Sequence, residues 1–146
     1  MKKLAIFIKN LPDASEKDKT YFMNSYLNDE RKFTEKLFEI IDNLDDSKKA
    51  EYEAKIFEKY FYNRITYNVF LKYSYDLARI DVADLVAGYK EINNRIDRDE
   101  DGNIRISNNI GGSFLGIGMA EILTYPGTCG FSLNDNGIKF LGCIFD

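Results

Sequence analysis

Asp97, Asp99 and Asp101 alternate within the stretch "DRDEDGNI", with Gly102 and Ile104 close behind. Carboxylates at the first, third and fifth positions, glycine at the sixth and an apolar residue at the eighth open a helix–loop–helix calcium loop. There, oxygen ligands surround a hard cation and the glycine permits the sharp turn. Asn103, at the seventh position, would offer its backbone carbonyl. Calcium is the ion such a loop would take, through Asp97, Asp99, Asp101 and Asn103. Later positions depart from the pattern. The twelfth is Asn108, which cannot supply a bidentate carboxylate, and the ninth is Arg105, a cation beside a cation. The exit, "SNNIGG", is a poor second helix. A solvated acidic turn accounts for the same residues more simply, because Asp-Gly is a strong turn pair. A third reading treats Asp97, Asp99, Glu100 and Asp101 as an acidic contact patch for a basic surface on a partner.

Other chemistries are narrowed by what is missing. The chain has no histidine, which removes Ser-His and Cys-His nucleophile pairs and imidazole general bases. With two cysteines and no histidine, one chain cannot assemble a four-ligand Cys/His zinc site. Cys129 and Cys143 do not make a disulfide framework, and both are expected as ordinary reduced thiols. No Ser-centred or Lys-centred catalytic motif is present. An enzyme is not expected, and no cofactor beyond the calcium considered above.

The elements that must position these residues are mostly helical. The 146 residues suit one domain or two small modules sharing a core, and 45% apolar with 30% charged residues allow a core and a solvated surface. "LAIFI", Leu4 to Ile8, is too short to separate strand from helix. Ser15 with Asp18 makes a capping-box start. Phe33, Leu37, Ile40, Ile41 and Leu44 form an apolar stripe at helical spacing. Asp45-Asp46-Ser47 offers caps for a following helix that places Ala50, Ala54, Phe57 and Phe61 on one face, with Ile56 and Tyr60 beside it. Its Glu and Lys residues are expected on the other side. Thr66 is the expected N-cap of a helix burying Val69, Phe70, Tyr73 and Leu77. Asp81 leads another, with Val82, Leu85, Val86, Tyr89 and Ile92. Beyond Asn94 the character changes. Ile104 and Ile106 alternate with polar residues as in a short strand. "AEILTYPGTCGFSLND" reads as two strands joined at Pro126-Gly127. "NDNGIKFLGCIF" returns to helical spacing, capped by Asn134 or Asp135.

The segments "SFLGIGMAEIL", "TYPGTCG", "FSLNDNG" and "IKFLGCIF" follow the order of a winged-helix C-terminus, which this part of the chain resembles. That resemblance implies Leu115, Met119 and Ile122 in the core, and Gly127 and Gly130 at the hairpin tip. It also implies a last helix docked by Leu133, Ile138, Phe140 and Leu141. The whole chain resembles small uncharacterised phage or prophage proteins of low-GC bacteria, in which a helical core precedes such a unit. The expected fold is therefore mainly α: a helical bundle, residues 1–80, then a small winged-helix-like unit, residues 81–146, with a β-hairpin and a C-terminal helix. The two parts are open to sharing one core.

Charge bears on the partner. Residues 1–80 carry 15 Lys+Arg against 14 Asp+Glu, and residues 81–146 carry 5 against 10, giving +1 and −5 of the overall −4. DNA affinity rests largely on Lys and Arg at phosphates. The candidate recognition helix "GGSFLGIGMAE" has no basic residue and neither Asn nor Gln, and the wing "TYPGTCG" is uncharged. A non-enzymatic protein-interaction module in the cytoplasm is expected, phage- or mobile-element-encoded and acting on a host protein, for example by inhibiting a defence system. The alternative is a winged-helix DNA-binding regulator. Expected partner contacts are Asp97, Asp99, Glu100, Asp101, Phe114, Tyr125 and Pro126. No stretch approaches the roughly 18 apolar residues of a membrane span, so no membrane partner is expected.

Overall fold

The computed structural model describes residues 2–10, 31–94, 104–125 and 128–146. The fold is mainly helical, with a small three-stranded antiparallel sheet and a C-terminal helix. The chain forms two compact units, Met1–Ala78 and Arg79–Asp146.

The first unit holds α1 (Lys2–Lys9), α2 (Arg31–Asp42), α3 (Ser47–Phe61) and α4 (Tyr67–Arg79). The ambiguous run at Leu4–Ile8 is helix. Its Phe7 is buried edge-on against Phe57, with ring centroids 5.7 Å apart. Lys3 reaches the end of α2, where its ammonium donates to the carbonyls of Asp42 (2.6 Å) and Leu44 (2.8 Å). A cation there satisfies carbonyls that the helix leaves without partners. Leu37, Ile40, Ile41 and Leu44 are all buried, as their spacing requires. Asp46 caps α3 by accepting from the Lys48 N–H at 2.7 Å. Thr66 caps α4 through its hydroxyl, which accepts from the Val69 N–H at 3.2 Å. Between α3 and α4, Asn63 takes a left-handed backbone (φ 59°), which asparagine tolerates better than most residues. The expected Ser15–Asp18 cap lies outside the described residues.

The second unit holds α5 (Val82–Asn94), β1 (Ile104–Ile106), α6 (Asn108–Gly116), β2 (Ala120–Tyr125), β3 (Thr128–Leu133) and α7 (Asp135–Phe145). The strand order is β1-β3-β2, with Ile104 opposite Leu133 and Ile122 opposite Phe131. Helix α6 lies close on the sheet because residue 111 is glycine: a Cβ there would sit 2.2 Å from the Phe131 ring. Gly118 (φ 74°) turns the chain from α6 into β2, a backbone conformation that costs an L side chain about 1 kcal/mol or more. Asn134 caps α7 by accepting from the Gly137 N–H at 2.9 Å, and Phe140, Leu141 and Ile144 of α7 are fully buried.

Four expectations need correction. Leu115 and Ile122 are not core: they are 37% and 53% exposed, while Met119 alone of that trio is buried. Gly130 is not at the hairpin tip but within β3, paired with Leu123, where the Arg105 guanidinium lies across it. The polar side of α3 is not wholly solvated, since Lys49 and Glu53 are buried. The stretch "SNNIGG", expected as a poor helix, opens α6 at Asn108, and the candidate recognition helix "GGSFLGIGMAE" ends at Gly116, with Ala120 and Glu121 already in β2.

Candidate interaction surfaces

Of the sequence-derived contact and metal residues, Asp97, Asp99, Glu100, Asp101, Asn103 and Pro126 lie outside the described residues. So does the side chain of Tyr125, whose backbone ends β2. Phe114 is corrected. It is fully buried, with its ring against Gly88 of α5, and has no surface to offer a partner. Helical spacing explains this: Ile110 and Phe114, four residues apart, share the buried side of α6. The start of α6 is already served by a carboxylate. Glu91 of α5 accepts from the Ser107 N–H at 2.9 Å, and Asp84 accepts from the Ser113 hydroxyl at 2.6 Å. The negative charge favoured by a helix N-terminus is thus internal to this unit.

In the first unit an aromatic ladder runs from core to surface. Phe57 meets Phe70 edge-on at 6.1 Å, Phe70 stacks with Tyr60 at 5.2 Å, and Tyr60 tilts against Tyr67 at 5.8 Å. Phe57 also faces Phe61, which contacts Tyr62 edge-on at 5.2 Å. The ladder ends in Tyr62 and Tyr67, 46% and 40% exposed, on either side of the Asn63 turn. Rings held in this way lose little freedom when another surface covers them, and each combines an apolar body with a polar tip. Phe38 and Tyr75, 42% and 43% exposed, are further surface aromatics of this unit, with the Lys36 ammonium 5.2 Å from the Tyr75 ring centre. Tyr75 foremost, with Glu39, holds the Lys36 pKa above its ordinary value. The sequence signal for this surface was "YFYNRITY", whose aromatics outnumber the positions that one buried stripe can absorb.

The same unit contains buried polar groups. Ser74 donates to Glu53 Oε1 at 2.6 Å, and both residues are fully buried. Among the described residues, Glu53 Oε2 has no hydrogen-bond partner. Burial pushes the Glu53 carboxyl up to about 7, against the opposing effect of the Ser74 bond. Lys49 buries its stem while its ammonium pairs with exposed Asp45 at 2.7 Å and donates to the Ala78 carbonyl at 3.3 Å. This pairing holds the Asp45 carboxyl below its ordinary value. A serine and a carboxylate in contact suggest acyl-transfer chemistry. With neither side chain reachable by solvent, the pair is an internal bond of the core.

No protein-family model matches the chain, and no curated protein or solved structure does either. Function therefore rests on the residues themselves. Among the described residues, no three Cys, Asp or Glu side chains gather into a metal-sized group. None of the described helices is long and apolar enough to cross a membrane.

Proposed function

We propose that the chain is a non-enzymatic protein-interaction module of the cytoplasm, encoded by a phage or mobile element and acting by binding a host protein. Inhibition of a defence system is one concrete form. The observation that carries this reading is the pair of exposed tyrosines, Tyr62 and Tyr67, at the end of an aromatic ladder anchored on Phe57. Tyrosine is enriched where protein surfaces meet, and rigid aromatic anchors supply much of the affinity of such contacts. The lack of histidine, Ser-centred and Lys-centred motifs supports binding rather than catalysis. Co-purification from a low-GC bacterial lysate tests it. A partner recovered reproducibly in stoichiometric amount is expected, and recovery of no specific protein would overturn the reading.

The alternative is a DNA-binding regulator. What favours it is the sheet order β1-β3-β2, with the hairpin following a helix, as in a winged-helix unit. What weighs against it is chemistry: α6 has no basic residue, and Lys139 of α7 is paired with Asp135 at 2.9 Å. A mobility shift at about 50 mM salt, where electrostatic binding is strongest, separates the two. Binding that weakens steeply as salt is raised would support the regulator, and no shift would remove it.

A further inference from the structure

We infer that the α3–α4 pair is a proton-operated latch, closed while the Glu53 carboxyl keeps its proton and loosened as a local unit when that proton leaves. This concerns the inside of the first unit and does not depend on the proposed host contact. The two helices run antiparallel, and their contacts fall on regular rungs. Lys49 donates to the Ala78 carbonyl, Glu53 meets Ser74, Phe57 meets Phe70, and Tyr60 meets Tyr67. Each step of three or four residues along α3 is matched by an equal step back along α4, so the rungs join one face of each helix.

One rung differs in kind from its neighbours. Phe57 and Phe70 are apolar, and Lys49 finds Asp45 at the surface, whereas Glu53 and Ser74 are both fully buried. The Ser74 hydroxyl serves Oε1 at 2.6 Å, and among the described residues Oε2 has no partner. A neutral carboxyl leaves one polar atom unmet there, while a carboxylate leaves a charge unmet, which costs far more. Neighbouring charges are engaged elsewhere. On α3 itself, Lys49 is held by Asp45 and the Ala78 carbonyl, and on α4 Asp76 takes Lys72 at 2.5 Å. On α1, Lys3 serves the end of α2, and Lys2 and Lys9 are exposed. On α2, Glu35, Glu39 and Asp42 are exposed, and Lys36 lies by Tyr75. Tyr52 and Tyr73, next to the pair in sequence, are buried phenols with no charge to offer at neutral pH.

Loss of the proton therefore puts an unmet charge in the middle of the seam. Water reaching Oε2 relieves it, and water reaches Oε2 only if α3 and α4 part at this rung. The next rung, Phe57 with Phe70, loosens with it, and the turn carrying Tyr62 and Tyr67 loses its anchor. The direction of the pH effect follows from burial, which pushes the carboxyl from 4.5 up to about 7. The latch is tightest below about pH 4.5 and is lost as pH rises through about 7. The second unit is an internal control. Among its described residues the buried polar side chain is Ser132, which does not titrate in this range.

Hydrogen–deuterium exchange of the full chain, resolved by peptide and corrected for the pH dependence of intrinsic exchange, tests the inference. Between about pH 6 and pH 8 the protection of α3 and α4 is expected to fall about tenfold, while that of α5 to α7 changes by less than about twofold. Glu53→Gln and Glu53→Met, neither of which can ionise, are each expected to hold α3 and α4 at constant protection over this range. One correctly folded variant suffices for the comparison. Constant protection of α3 and α4 in wild type would overturn the latch. So would a fall shared equally by both units, or one that persists in a folded Glu53 variant.

Discussion

Glu53 shows how one side chain can set a property of the whole chain. Its carboxyl is pushed from an ordinary 4.5 to about 7 by burial. A carboxyl with a raised folded-state pKa binds its proton more tightly in the folded than in the unfolded chain. Its contribution is therefore fully present below about pH 4.5 and is lost as pH rises through about 7. Glu53→Gln keeps the shape without the charge. The variant is expected to be more stable than wild type by roughly 2–3 kcal/mol at pH 8, with the difference shrinking towards zero near pH 4.5. Urea unfolding of both proteins at pH 4.5, 6 and 8 checks this, and a difference that does not vary with pH would contradict it. The acidic stretch belongs to the same scale. If Asp97, Asp99 and Asp101 form a solvated turn, the double variant Asp97→Ala with Asp99→Ala leaves the melting temperature unchanged with and without millimolar calcium. A calcium-dependent rise in wild type that the double variant lacks would instead establish a metal loop.

At the scale of elements, much of the helical order was legible because spacing and caps are local. The stripe ending in Leu44, the caps at Asp46, Thr66 and Asn134, and the alternating Ile104–Ile106 strand follow from patterns within a few residues. The failures have a common cause: they depend on what lies across space. Leu115 and Ile122 look like core residues by type, but α6 turns Phe114 inward and β2 is left at an edge. Lys49 and Glu53 look solvated by type, yet α4 brings Ser74 and the Ala78 carbonyl to meet them. The aromatic surface was also missed, because only the packed ladder reveals which tyrosines reach its outer end. The position of α6 yields a prediction of its own. Gly111→Ala drives a methyl group into the Phe131 ring and is expected to cost roughly 3 kcal/mol, seen as a lower urea midpoint with an unchanged slope. A cost below about 0.5 kcal/mol, typical of an ordinary surface change, would mean that helix and sheet are not held this close.

On the scale of the molecule, the two units divide the chemistry between them. The first is nearly neutral and carries the exposed tyrosines. The second holds the excess negative charge and the three-stranded sheet. The proposed reading draws on that charge, which would repel phosphates, and on the missing histidine, which removes imidazole-based catalytic devices. The proposed recognition of a protein surface has Tyr62 and Tyr67 as its centre. The most direct measurement is a paired capture: tagged wild type and Tyr62→Ala with Tyr67→Ala, at equal amounts, from the same lysate. The account predicts a specific protein with wild type, reduced at least about tenfold with the double variant, as expected when two anchors worth over 1 kcal/mol are lost together. The melting temperatures of the two baits should agree within a few degrees. Equal recovery of that protein by both baits would contradict the claim that the aromatic corner carries recognition.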